Sequence, residues 1–229
     1  LQLNYAMFTN VEKDQQAFDA LKSRLKSQIS LMKNNPAYIF RDSIYSTLYD
    51  NNPLVKSVTA EDLAALDYDK CLTLYRQRVA NAGDFTFSFV GSFDIDSIKP
   101  LVEKYIASLP DNGTREKVSY TLECADGNIA NYFDRAMMSP KTSVYANFTG
   151  DMPYSVTGDL MLNMLGDIMR IRYTESLREE EGGTYGASVD AYLSMFNGEW
   201  AISYQFATNA QQRDKLIEIA NQELANVIN

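Results

Sequence analysis

The sequence contains no histidine. That absence removes the commonest metal ligand and the commonest general base, and with them any self-contained Ser-His-Asp, Cys-His or histidine-ligated zinc enzyme. Cysteine is nearly as scarce. Cys71 and Cys124 stand far apart and outside any CxxC arrangement, which argues against a disulfide framework and a cysteine zinc site. Neither GxxxxGK[ST] nor GxGxxG occurs, so no glycine loop of these kinds cradles a phosphate. No apolar run approaches a membrane span. Lysine and arginine number 21 against 30 acidic residues and are scattered, which disfavours nucleic acid as a partner. Carboxylate, tyrosine or lysine chemistry remains, or an accessory role.

What is present suits a folded chain. The 229 residues are 45% hydrophobic and 12% aromatic, with fifteen tyrosines, enough apolar surface for a core in one large domain or two smaller ones. The formal charge of −9 is accounted for by solubility alone. A chain beginning at Leu1 rather than Met is expected to be cut from something longer.

Apolar positions at steps of three and four (Phe18, Leu21, Leu25, Ile29, Met32) predict a helix over 12–34 with one buried stripe. Asn34-Asn35-Pro36 ends it, and Pro36 opens a second helix to about Tyr49. Thr59-Ala-Glu-Asp62 resembles a capping arrangement ahead of a short helix, and a further helix starts at about Asp67. The alternation of Phe85, Phe87 and Phe89 with Thr86 and Ser88 predicts a strand, followed by a helix over Asp94–Leu109. Pro110-Asp-Asn-Gly113 is a strong turn and the candidate boundary between residues 1–113 and 114–229. Strands are expected near 117–123, 128–137 and 142–149, then a long apolar helix from about Tyr154 to Arg178. Two strands at about 184–194 and 198–207 follow, turning at Asn197-Gly198, and a last helix starts from about Asn209. Helices and antiparallel strand pairs in separate runs make this α+β.

The stretch RYTESLREEEGGTYG (172–186) holds the most chemistry. From pattern alone Arg178 reads first as a cation at the negative end of a helix dipole, and Tyr185 as a half-buried strand tyrosine. Glu179-Glu180-Glu181 diverge around a helix and do not converge on one cation; Gly182-Gly183 provide a helix stop and a positive-φ turn. The functional reading pairs Arg178 with Tyr185, seven residues apart across the chain reversal. A guanidinium and a phenol on one rim suit a peptide carbonyl or the oxyanion it becomes under attack. No carboxylate pair stands out for an independent hydrolase.

Asp84-Phe-Thr-Phe-Ser-Phe-Val-Gly91, Phe93-Asp94, Ile98-Lys-Pro-Leu-Val-Glu-Lys-Tyr105 and Leu109-Pro110 resemble the strand-glycine-helix-LP segment of pitrilysin- and insulinase-type zinc metalloproteases. The Asn35-Pro36 helix pair and Leu177-Arg178-Glu179 … Gly183-Thr-Tyr185 resemble that family's repeats in the same order. The resemblance implies repeats of the mitochondrial-processing-peptidase type, each an antiparallel-rich sheet packed with helices. Residues 1–113 would be the latter part of one repeat and 114–229 the opening part of the next. It implies that Arg178 and Tyr185 bind substrate across from a zinc site held by HxxEH and a distal glutamate in another repeat.

The departures matter as much. Asp159-Leu-Met-Leu-Asn163 stands where a catalytic repeat carries HxxEH, and AFDALKSRL (17–25) has no glutamate for a third ligand. The expectation is a non-catalytic C-terminal region of a zinc metalloendopeptidase, inactive alone, with no catalytic or metal residue of its own and zinc in the full-length protein. Its implied partners are a peptide or protein substrate and the N-terminal catalytic half of the same chain; the compartment stays open, with periplasmic or secreted slightly favoured over cytoplasmic. The alternative is a non-proteolytic peptide-binding or complex-assembly module of the same fold.

Overall fold

The computed structural model describes residues 1–117, 119 and 122–228. In chain order the α-helices are α1 (Gln2–Thr9), α2 (Gln15–Met32), α3 (Pro36–Leu48), α4 (Ala60–Ala64), α5 (Tyr68–Val79), α6 (Ile95–Tyr105), α7 (Val156–Tyr173) and α8 (Arg213–Ile228). The strands are β1 (Thr142–Asp151), β2 (Ala187–Leu193) and β3 (Glu199–Thr208). The α+β class read from the sequence holds. Two compact units divide the chain: Leu1–Asn34 with Val58–Ser119, and Asn35–Ser57 with Tyr120–Asn229.

The first unit is built of α1, α2, α4, α5 and α6. Side chains cap the helix starts: Asp14 accepts from Ala17 N–H, and Thr59 and Asp62 close the capping box read from the sequence. The Tyr75 hydroxyl donates to Met7 O at 2.8 Å, tying α5 to α1, and Phe18 stacks on Tyr68 with centroids 4.3 Å apart. Neither α1, which the sequence reading missed, nor α2 contains a fully buried residue. The stripe predicted as buried on α2 is therefore only partly covered, with Leu21 42% exposed.

Residues 85–90 form no strand. Phe85 has extended backbone, but a strand needs a hydrogen-bonded neighbour, and none of the described residues supplies a ladder to this run. Instead Phe85 and Phe87 pack on Phe8, at centroid distances of 4.9 and 5.6 Å. The strand expected over 128–137 is likewise absent; there Asn131 Nδ2 donates to Ser43 Oγ and Thr47 Oγ1 on α3. The strand expected near 117–123 falls on a stretch that includes residues outside those described.

The second unit holds an antiparallel sheet in the order β1-β3-β2, with Thr142 opposite Thr208 and Ala187 opposite Phe206. Its core joins Met169 and Tyr173 of α7, Leu177, Tyr204 and Phe206 of β3, and Leu216 and Ala220 of α8. All seven are at most 3% exposed. The Tyr173 and Tyr204 rings meet edge to face at 5.2 Å, and the Tyr173 hydroxyl donates to Ala220 O. Leu160, Met161, Met164, Ile168 and Ile171 on the other side of α7 are exposed.

The long helix read to Arg178 changes pitch partway. After Tyr173 the residues Thr174–Glu180 wind as a π-helix. Ser176 O accepts from Glu181 N–H, the i to i+5 bond that defines this wider winding.

Candidate functional site

Arg178 lies in the π-helix and Tyr185 just ahead of β2, one on each side of the Gly182-Gly183 reversal. The Tyr185 side chain is fully exposed, so the half-buried reading of this tyrosine is corrected: it precedes the first paired residue of β2, Ala187, and the sheet does not cover it. Arg178 is exposed as well, and among the described residues neither its guanidinium nor the Tyr185 hydroxyl has a hydrogen bond or ion pair. Both donors are open to a ligand.

The backbone beneath them is fixed. Leu177, adjacent to Arg178, is 0% exposed in the core, and buried Ser176 donates its hydroxyl to Arg172 O at 2.9 Å. Gly182 has φ +59°, a left-handed conformation open to glycine at little cost, and its N–H reaches Arg178 O at 3.1 Å. Gly183 is needed for a different reason, since a Cβ there would stand 2.7 Å from the Leu216 Cδ1 atom, itself buried. Gly183 N–H donates to Leu177 O, and Gly183 O accepts from the Thr208 hydroxyl at 2.7 Å. The Thr184 hydroxyl bridges to both the N–H and the carbonyl of Gly186, bracketing Tyr185. Of the three consecutive glutamates, Glu181 pairs with Lys215 of α8.

Thr184 and Thr208 went unnoticed in the sequence. Thr208 acts across 25 residues, and nothing local to a strand-end threonine signals such a contact.

The residues at the metal-motif position do not fit zinc. Asp159 and Asn163 lie in the opening turns of α7, where Asn163 Nδ2 donates to Asp159 O at 2.7 Å. Asp159 Oδ1 accepts from Asn163 Nδ2 and from Leu193 N–H, both at 3.2 Å, which ties α7 to the end of β2. A zinc site needs about four converging donors, and among the described residues no group of three His, Cys, Asp or Glu could hold a metal ion.

Elsewhere in this unit, Cys124 is half-buried, with Sγ 3.5 Å from Glu199 Oε1. Burial, then the neighbouring carboxylate, pushes its pKa up to about 11. Burial likewise raises that of Tyr49, with Cys124 the next cause.

A three-stranded antiparallel sheet packed with two helices, and a glycine reversal flanked by an exposed arginine and an exposed tyrosine, define an α+β domain. Residues 65–229 match the family described as Peptidase M16 inactive domain, and the chain belongs to that family. Solved structures share the fold. The periplasmic protease PqqL from Escherichia coli superposes with TM-score 0.79 at 19% identity, over 93% of this chain and 24% of that one. A mutant of the ferredoxin protease FusC, in complex with Arabidopsis ferredoxin, gives 0.77 at 13%, over 98% and 24%. A peptidase M16 inactive domain from Pseudomonas fluorescens gives 0.73 at 15%, over 96% and 53%. The chain thus spans about a quarter of the length of the first two. No curated protein matches the sequence significantly. No helix among the described residues is long and apolar enough to cross a membrane.

Proposed function

We propose that this chain is the non-catalytic C-terminal region of a zinc metalloendopeptidase and helps enclose a peptide or protein substrate. In this reading residues 1–113 are the latter part of one repeat and 114–229 the opening part of the next. Zinc and the general base reside in an N-terminal half of the full-length protein, and the chain alone is inactive. The observation that carries the reading is the pair of open donors, Arg178 and Tyr185, on a turn whose backbone is fixed. A guanidinium offers several N–H donors and a phenol one O–H, suited to orient a scissile carbonyl and to stabilise the charge it develops. A protein substrate is supported by the relative FusC, whose structure contains ferredoxin. A periplasmic or secreted location is supported by PqqL, a periplasmic protease.

The test is steady-state cleavage of an unstructured peptide by the full-length protein. Loss of one oxyanion donor typically costs about a hundred- to a thousandfold in turnover, so Arg178→Ala and Tyr185→Phe are each expected to lower kcat on that order. Parental turnover in both variants removes the assignment. A full-length protein that binds peptide but contains no zinc and cleaves nothing establishes the alternative, a peptide-binding or assembly module.

A further inference from the structure

Tyr185 has no packing of its own. Its side chain is fully exposed, so no neighbouring surface restricts it, and the backbone limits its reach by setting where the Cα–Cβ bond leaves the turn, from which the ring takes one of a few staggered rotamers. That backbone is held at two points. On the near side the Thr208 hydroxyl donates to Gly183 O at 2.7 Å; on the far side the Thr184 hydroxyl donates to Gly186 O at 3.0 Å and accepts from Gly186 N–H at 3.3 Å. Thr184 belongs to the same turn and moves with it. Thr208 does not: it ends β3, opposite Thr142 in the sheet, and so refers the turn to the rigid part of the unit. Leu216, itself buried, lies close beside Gly183, where a Cβ would stand 2.7 Å from its Cδ1 atom.

We propose that Thr208 is a positioning residue for Tyr185, fixing the Gly183–Gly186 backbone so that the Tyr185 Cα–Cβ bond leaves the turn at one place and angle, from which the phenol reaches substrate. The inference rests on the reading of Tyr185 as a substrate contact. A strand-end hydroxyl that merely satisfied a carbonyl would affect stability alone; a positioning hydroxyl affects the chemical step, because small misplacements of a reacting contact are costly.

The experiment compares Thr208→Val, Thr208→Ser, Tyr185→Phe and the Thr208→Val/Tyr185→Phe double variant in the full-length protein, reading kcat, KM and thermal midpoint. Valine keeps the shape and removes the donor; serine keeps the donor. Thr208→Val is expected to lower kcat by up to about a hundredfold with KM little changed, Thr208→Ser to restore it, and Thr208→Val to add nothing once Tyr185 is Phe. Parental kcat in Thr208→Val, beside a lowered kcat in Tyr185→Phe, overturns the positioning role and leaves the Tyr185 reading standing. A loss that serine does not restore, or that is equally large in the Tyr185→Phe background, assigns Thr208 a general structural role and also overturns it. Parental kcat in Tyr185→Phe removes the Tyr185 reading itself, and this inference with it.

Discussion

The two units of the chain are unequally packed. In the second, seven core residues from two helices, the π-helix and a strand are at most 3% exposed, with Leu177 and Ala220 at 0%. In the first, the best-buried apolar side chains, Leu63 and Leu109, are 5% and 6% exposed, and α1, α2 and α6 contain no buried residue. Among the described residues these five helices contribute none of the seven residues of that cluster, and caps and ring contacts stand beside a few buried side chains such as Leu63, Leu72 and Val79. The candidate site belongs to the well-packed unit, which suits a task that depends on holding two donors still.

The sharpest way to break this comparison is a pair of leucine truncations. Leu177→Ala removes a side chain from the centre of the core and is expected to cost ~3 kcal/mol, whereas Leu21→Ala on α2, already 42% exposed, should cost about 1 kcal/mol or less. The single tryptophan, Trp200 on β3, reports the second unit alone. Its fluorescence in urea should therefore show a later transition than the first loss of helical circular dichroism. Coincident transitions, or equal costs for the two truncations, would show that the units unfold as one body of uniform stability.

A smaller effect separates the two glycines of the reversal. Gly183→Ala drives a Cβ into Leu216, an overpacking expected to cost about 1–3 kcal/mol, while Gly182→Ala meets no neighbour and bears only its left-handed φ, about 1–2 kcal/mol. Gly183→Ala should in addition lower turnover in the full-length protein, because it displaces the carbonyl that Thr208 holds. If enlarging Leu216 rather than shrinking it rescues Gly183→Ala, steric crowding is not the cause.

Much of the second unit was legible in the sequence because its signals are local. Trp200, Ile202, Tyr204 and Phe206 alternate along β3, Asn197-Gly198 turns the hairpin, and Asn209 accepts from Gln212 N–H ahead of α8. The failures have a common physical origin. Phe85-Thr-Phe-Ser-Phe89 has the alternation of a strand, yet a strand is a property of pairs, and pairing is decided far from the run itself. The π-helix at Thr174–Glu180 costs only one shifted hydrogen-bond register, so composition does not announce it. Arg178 and Tyr185 were paired as candidates through the family resemblance, but their openness to solvent and the threonines beneath Tyr185 depend on contacts that only folding creates.

The least of the expected effects lies at Cys124, where the better-packed unit should show a pH dependence of its own. Burial and the Glu199 carboxylate raise the thiol from 9.0 to about 11, so the folded state keeps a proton that the unfolded chain releases earlier. A raised folded pKa contributes stability that is complete below the unfolded value and lost as pH rises to the folded one. Between pH 9.0 and about 11 the second unit should therefore lose stability, and the loss attributable to this group is the difference between the parent and Cys124→Ala, in which Tyr49 is still present. Urea midpoints read by Trp200 fluorescence at pH 8 and pH 10 give that difference, and alkylation gives an independent measure. At pH 9 the folded thiol should react with iodoacetamide more slowly than a thiol in a short unstructured peptide, because the thiolate is the nucleophile. Equal alkylation rates, together with parallel pH profiles for parent and Cys124→Ala, would mean that Glu199 does not oppose the thiolate. The Cys124–Glu199 contact would then be slack enough to admit water, and the close packing assigned to this unit would stop short of that edge.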